Sequence, residues 1–270
     1  MLRKVVIITG VIFLSWLITI QAYSNQFYKK NGEIYDSWGI CRTRAQGADG
    51  YFQVMSNGFR PVIVFESLGK SDSLASQWGK EFLTKYSNDE HRAKKIFEFA
   101  RDKVRYMHDG EQFGYREFAQ NADELAYSIQ EGPARGDCED YAVLLANLYK
   151  MAGYRSAIVI APGHAAALLY LPGYKKANVS MELGGEEGWV WLEATGRNNY
   201  LGWIPSQFLT STVIAQEIKE GGEVSLVSEP QGELIKPKKK GKTVSSFFSF
   251  LFIIWMFPIL VGFLRVFRRK

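Results

Sequence analysis

The sequence predicts an α+β fold held at a membrane by its ends. Three observations carry this. Helical spacing of apolar residues dominates 72–152, short β-type runs occupy 155 to 195, and an uncharged apolar stretch lies near each end of the 270-residue chain. With 47% hydrophobic and 23% charged residues the chain can bury a core, which excludes a disordered polar protein. Two cysteines, Cys41 and Cys138, are too few for a disulfide framework.

Arg3 and Lys4 precede an apolar run from Val5 to Ile20, and Ala22-Tyr23-Ser24 supplies a small-residue cleavage pattern. Residues 1–24 therefore read as a signal peptide or N-terminal anchor that exports the chain beyond it. Residues 25–90 form an extension with β-like runs at 51–55 and 61–66 and a helix over 72–87, capped by Asp72 or Ser73. Residues 91–235 hold the core. An amphipathic helix over 89–106 leads into it, with Ile96, Phe97, Ala100 and Val104 on one face. A long polar connection at 107–135 contains a short helical piece near 121–129, and connections of this length inside a domain are often functional.

The sharpest segment is GDCEDYAVLLANLYKMAGY. Asp137 is an N-cap, Asp140 nearly completes a capping box, and Gly153 is the C-terminal stop, so a helix is expected from 138 to 152. Three strands come next, at 155–161, at 164–171 beginning with His164, and at 189–195 containing Glu193. Residues 236–243 are a Lys-rich linker, a solvated spacer or a contact for lipid head groups. Val244 to Leu264 carries no charge and is long enough to span a bilayer as a transmembrane helix, with 265–270 as a basic cytoplasmic tail.

The net charge of +5 belongs to these ends. Without Arg3, Lys4, Arg265, Arg268, Arg269, Lys270 and the five lysines between 236 and 242, the remainder holds 22 basic and 28 acidic residues. A body with that balance is not a nucleic-acid binder, because phosphate recognition needs clustered positive charge.

Cys138 is placed in the first turn of its helix, where free N–H groups and the helix dipole favour a thiolate. An imidazole can take the thiol proton, and a carboxylate on the other ring nitrogen can orient that ring. His164 and Glu193 lie on successive strands whose antiparallel pairing can bring them to one face; if the Cys138 helix packs on that face, all three converge. Each residue also has a plain reading: a small buried thiol, a turn histidine, a solvent-facing carboxylate. A Cys41–Cys138 disulfide is disfavoured. So is a metal site from Cys138, His108 and His164, which lacks close ligand spacing, and no cofactor is expected.

These residues resemble the transglutaminase-like superfamily, the papain-like thiol fold with the order cysteine, histidine, acid. The pieces are KIFEFARDKVRYMHD, GDCEDYAVLLANLYKMAGY, PGH and WVWLEAT, within Ala93 to Thr195. The resemblance implies Cys138 as nucleophile, His164 as base and Glu193 as orienting acid, where many members have aspartate. It also implies a side-chain donor that helps the Cys138 backbone N–H hold the oxyanion, with Gln120 as candidate and Gln130 as runner-up.

The expectation is a thiol enzyme at the cell membrane, its catalytic domain extracytoplasmic, that forms a thioester from amide bonds of proteins or peptides. Hydrolysis is preferred to cross-linking, since water at roughly 55 M outcompetes amines unless the site excludes it. The alternative is a surface binding or scaffold module that keeps the fold without the chemistry.

Overall fold

A computed structural model describes residues 27–36, 39–55, 58–60, 62–63, 73–218 and 232–239. The N-terminal segment 1–24 and the apolar stretch 244–264 lie outside the described residues, and no described helix is long and apolar enough to cross a membrane. The chain divides after residue 239, and all described elements belong to the first unit.

The elements in chain order are β1 (Tyr28–Lys30), β2 (Glu33–Tyr35), β3 (Cys41–Gly47), β4 (Gly50–Met55), β5 (Gly58–Arg60), α1 (Ser73–Lys85), α2 (Asp89–Lys103) and β6 (Val104–Tyr106). Then come α3 (Asp109–Gln112), α4 (Ala122–Glu131), β7 (Ala134–Gly136), α5 (Cys138–Met151), β8 (Ser156–Ala161) and β9 (His164–Tyr170). Last are β10 (Val179–Leu183), β11 (Glu186–Leu192), a 3-10 turn at Ser206–Phe208, β12 (Val213–Glu217), β13 (Glu233–Ile235) and β14 (Lys238–Lys239). The main sheet has seven strands in the order β13-β12-β8-β9-β11-β10-β14, antiparallel throughout.

Strand alternation gives this sheet two apolar faces. Ala165, Ala167, Leu169, Val190 and Leu192 point to the helices, while Ala166, Leu168, Trp189 and Trp191 point the other way, onto Phe208 and Ile204. Helix α5 is buried along almost its whole length because it lies between the sheet and α1, α2 and α4. Its tyrosines satisfy their hydroxyls on neighbouring backbone: Tyr149 donates to the Ala93 carbonyl at 2.7 Å and Tyr141 to that of Val104 at 2.5 Å. Gly79 of α1 lets two helices nearly touch, since a Cβ there would meet Met151 Cβ at 2.5 Å. Helix α1, assigned to the extension from sequence, is thus built into the core.

The helix expected over 89–106 stops at Lys103, and Val104–Tyr106 instead pairs in parallel with Ala134–Gly136. Local periodicity continued the helix; a strand partner thirty residues away redirected it. Asn88 caps α2 by accepting from the His91 N–H at 2.9 Å. The lysine-rich linker is also partly structured: β14 pairs with β10, and Lys238 bonds Glu187 at 2.9 Å and Glu182.

The five-stranded sheet of the N-terminal region is joined to the core through Arg42. Its buried guanidinium donates to the Ala119 carbonyl and, at 2.7 Å, to Glu124.

Candidate active site

Cys138 is the first residue of α5, and a network around Asp140 fixes the start of that helix. Asp140 accepts from the Asp137 backbone N–H at 3.1 Å, from the Gln120 backbone N–H at 2.8 Å and from Gln120 Nε2 at 2.7 Å. Gly136 lies so close that a Cβ would meet Asp140 Oδ2 at 2.7 Å. Glycine, cap and N3 acid in GDCED are therefore parts of one packed turn that presents the thiol, which is partly exposed.

His164 and Glu193 meet directly. Imidazole Nε2 and Glu193 Oε2 are 2.7 Å apart. The Glu193 carboxylate is almost fully buried and also accepts from Trp191 Nε1 at 3.3 Å and from the Thr195 hydroxyl. With Nε2–H directed at the carboxylate, the neutral ring presents the Nδ1 lone pair. Phe208 stacks on the imidazole with centroids 5.2 Å apart and a 10° interplanar angle, and Trp191 stacks on Phe208 at 5.7 Å.

Both residues belong to the sheet face that carries Trp191 and Phe208, whereas α5 packs on the opposite face. Convergence across a single face, one route open from sequence, is thus not the route taken. His164 opens β9 and Glu193 comes directly after the last residue of β11, so both stand at strand ends. There the backbone of Ala165 lies near enough to the Cys138 thiol to favour its charged form.

The thiol itself is not held anionic. Burial pushes it well above the ordinary thiol range, and the charges of Glu139 and Asp137 push it further; the Ala165 backbone pulls the other way and loses. The helix-start argument from sequence omitted the acids placed beside the sulfur. Its hydrogen is donated to Glu139 Oε2 at 3.2 Å, and among the described residues no hydrogen bond joins the sulfur to the imidazole.

Glu139 is the hub of a buried acidic cluster. It accepts from the Tyr51 hydroxyl at 3.1 Å, and Tyr51 also reaches Glu117 at 2.9 Å. Burial first, then the Glu139 charge, pushes Asp109 up to about 7 despite the Phe118 N–H donated to it. Burial and a hydrogen bond with Glu139 push Asp137 up to about 11, and Asp140 is raised as well, by burial above all. One oxygen of Asp109 and one of Asp137 have no donor. Ligand atoms of Asp109, Asp137 and Asp140, of Asp109, Glu117 and Glu139, and of Asp137, Cys138 and Glu139 lie within 4.8 Å of one another in each group. Such oxygens can share protons or hold a divalent cation.

Gln120 is buried beside the helix start but offers no free donor, since its amide nitrogen gives one hydrogen to Asp140 and the other to the Arg135 carbonyl at 3.1 Å. In this arrangement the amide hydrogens of the oxyanion candidate serve the helix start and the Arg135 backbone. Gln130 is exposed on α4. Cys41 and Cys138 are both free thiols. Sequence reasoning missed Phe208, Tyr51 and the cluster members Asp109 and Glu117. None carries a motif, and each reaches the site from a distant segment.

The site thus sets a thiol at the start of a buried helix against an antiparallel sheet that carries a histidine and an acid at its strand ends. Residues 76–207 match the family model of the transglutaminase-like superfamily. No curated protein matches the chain. A solved structure of a candidate protease from Parabacteroides distasonis is similar at 12% identity with a TM-score of 0.39; the likeness covers 66% of this chain and 30% of that one.

Proposed function

We propose that the protein is a thiol acyl-transfer enzyme that opens amide bonds of proteins or peptides, with water as the preferred acceptor, at the outer side of a membrane. The observation that carries this reading is the His164–Glu193 pair at 2.7 Å, with His164 next in sequence to Ala165, whose backbone lies near the Cys138 thiol.

Because the thiol rests protonated, attack is coupled to proton removal. Sγ adds to the amide carbonyl while its proton passes to His164 Nδ1, and Glu193 supports the imidazolium through Nε2. The Cys138 backbone N–H, at the open end of α5, stabilises the oxyanion. The C–N bond breaks as His164 returns the proton to the leaving amine. A water molecule, deprotonated by the same ring, then releases the acid and restores the thiol. The apolar segments 1–24 and 244–264 supply the membrane attachment in this reading.

The test is a peptide mixture incubated with the full-length chain and with Cys138→Ala, read by mass spectrometry for new peptide termini and for an acyl adduct on Cys138. New termini and an adduct, both absent from the variant, are expected. Equal behaviour of the two chains favours the non-catalytic binding module.

A further inference from the structure

A cavity of about 330 Å³ lies beside the candidate site, lined by Arg101, Arg105, Tyr106, Tyr141, Thr195 and Arg197. Its walls are residues attached to the site. Thr195 donates to Glu193, Tyr141 lies one turn beyond Cys138 in α5, and Tyr106 is paired with Gly136, two residues before Cys138. The lining contains three guanidinium groups and no carboxylate. Arg101 is held in place by Asp102 at 2.7 Å and the Asn199 carbonyl at 2.9 Å. Arg105 and Arg197 are exposed and have no ion-pair partner among the described residues.

Arg105 and Arg197, set without a counter-charge beside an Arg101 already paired with Asp102 in a body of acidic balance, need an explanation, because like charges held close together are unfavourable unless an anion joins them. Water and dissolved salt stabilise exposed arginines one by one; neither explains why three share one concavity that shares Thr195 with the acid partner of the histidine. The planar fork of a guanidinium matches a carboxylate in two parallel hydrogen bonds. Tyr106 adds a hydroxyl that stays protonated, since burial and the neighbouring Cys138 and acids push it above its ordinary value. A pocket so composed selects a flat anion next to an apolar or aromatic surface.

We propose that this cavity is a substrate subsite that binds a carboxylate of the peptide chain close to the amide undergoing attack, with Arg105 and Arg197 as the specificity-determining residues. The inference rests on the proposed amide-directed function and names its substrate class: acidic peptides. Two sources share this chemistry, a Glu or Asp side chain and a free C-terminal carboxylate.

Calorimetric titration of the full-length Cys138→Ala protein, which binds without turnover, separates them. The probes are N-acetyl-Ala-Glu-Ala-amide, N-acetyl-Ala-Gln-Ala with a free C-terminus, and the neutral N-acetyl-Ala-Gln-Ala-amide. At least one anionic peptide is expected to bind 10-fold or more tightly than the neutral one. Arg105→Gln/Arg197→Gln is expected to erase the preference, and Arg105→Lys/Arg197→Lys to keep part of it. Equal titrations of the three peptides, including no binding by any, overturn the proposal, as does a preference that survives the glutamine variant. Failure here leaves the Cys138 adduct of the native chain intact, and failure of the thiol chemistry leaves the binding preference intact, so the two readings fall separately.

Discussion

Two sets of buried carboxylates flank the start of α5, and they are treated differently. Glu193 is surrounded by donors, the imidazole, Trp191 Nε1 and the Thr195 hydroxyl. Asp109, Asp137 and Glu139 crowd against one another and against Glu117 and Asp140, and one oxygen each of Asp109 and Asp137 lacks any donor. A buried acid with donors is a fixed negative partner for a cation that forms beside it. Buried acids without donors take up protons readily, and those that stay charged push a neighbouring thiol up. In the proposed mechanism the sulfur is kept neutral from one side and the imidazole kept oriented from the other, so the thiol would become a nucleophile only when the imidazole takes its proton.

Breaking the donor-rich side has the largest expected effect. Glu193→Ala leaves the Trp191 and Thr195 donors and the imidazole without their acceptor; urea unfolding is expected to show a loss of about 3 kcal/mol, and turnover to fall about 100-fold or more. An unchanged unfolding midpoint contradicts the packing described for Glu193. Next is Gly136→Ala, whose methyl group would press on Asp140 Oδ2 and displace the Gln120 network. A destabilisation of about 2 kcal/mol is expected, read by thermal unfolding.

The acidic side gives a signed pH dependence. Asp109 titrates near 4 when unfolded and at about 7 when folded, so between those values the native state holds more protons than the unfolded state. Stability contributed by this group is therefore full below pH 4 and declines as pH rises to 7, by at most about 1.4 kcal/mol per pH unit. Asp109→Asn flattens that decline and stabilises the chain at pH 8 relative to the native sequence. Urea midpoints at pH 5 and 8 measure it, and a native chain that gains stability across the window through this residue reverses the assignment. The smallest effect is expected at the ring stack: Phe208→Leu removes the face against His164, lowers stability by about 1 kcal/mol and loosens the imidazole, read as a fall in turnover larger than the change in KM.

Much of this was legible in the sequence where structure is local. The cap at Asp137, the stop at Gly153 and the strands opening at His164 and running through Trp191 come from turn chemistry and periodicity. The two charges that raise the thiol most, Glu139 and Asp137, flank it in the sequence, but the rest of its surroundings was not legible. Asp109 and Glu117 come from the connection before α4, Tyr51 from the N-terminal sheet and Phe208 from beyond the last predicted strand. No spacing rule ties them to Cys138, because the distances between them are set by tertiary packing. Gln120 shows the converse. Position made it a donor candidate, and only the Asp140 carboxylate it serves reveals that its hydrogens are committed.

At the centre of the proposed mechanism, the protonated thiol is activated by the histidine that precedes Ala165. The rate of Cys138 alkylation by iodoacetamide, tracked against pH in the native chain and in His164→Ala, tests it most directly. Labelling is expected to be confined to Cys138, slow at low pH, and at least 10-fold slower at neutral pH once the imidazole is removed. Identical rates in the two chains across the pH range would show that the ring never reaches the sulfur.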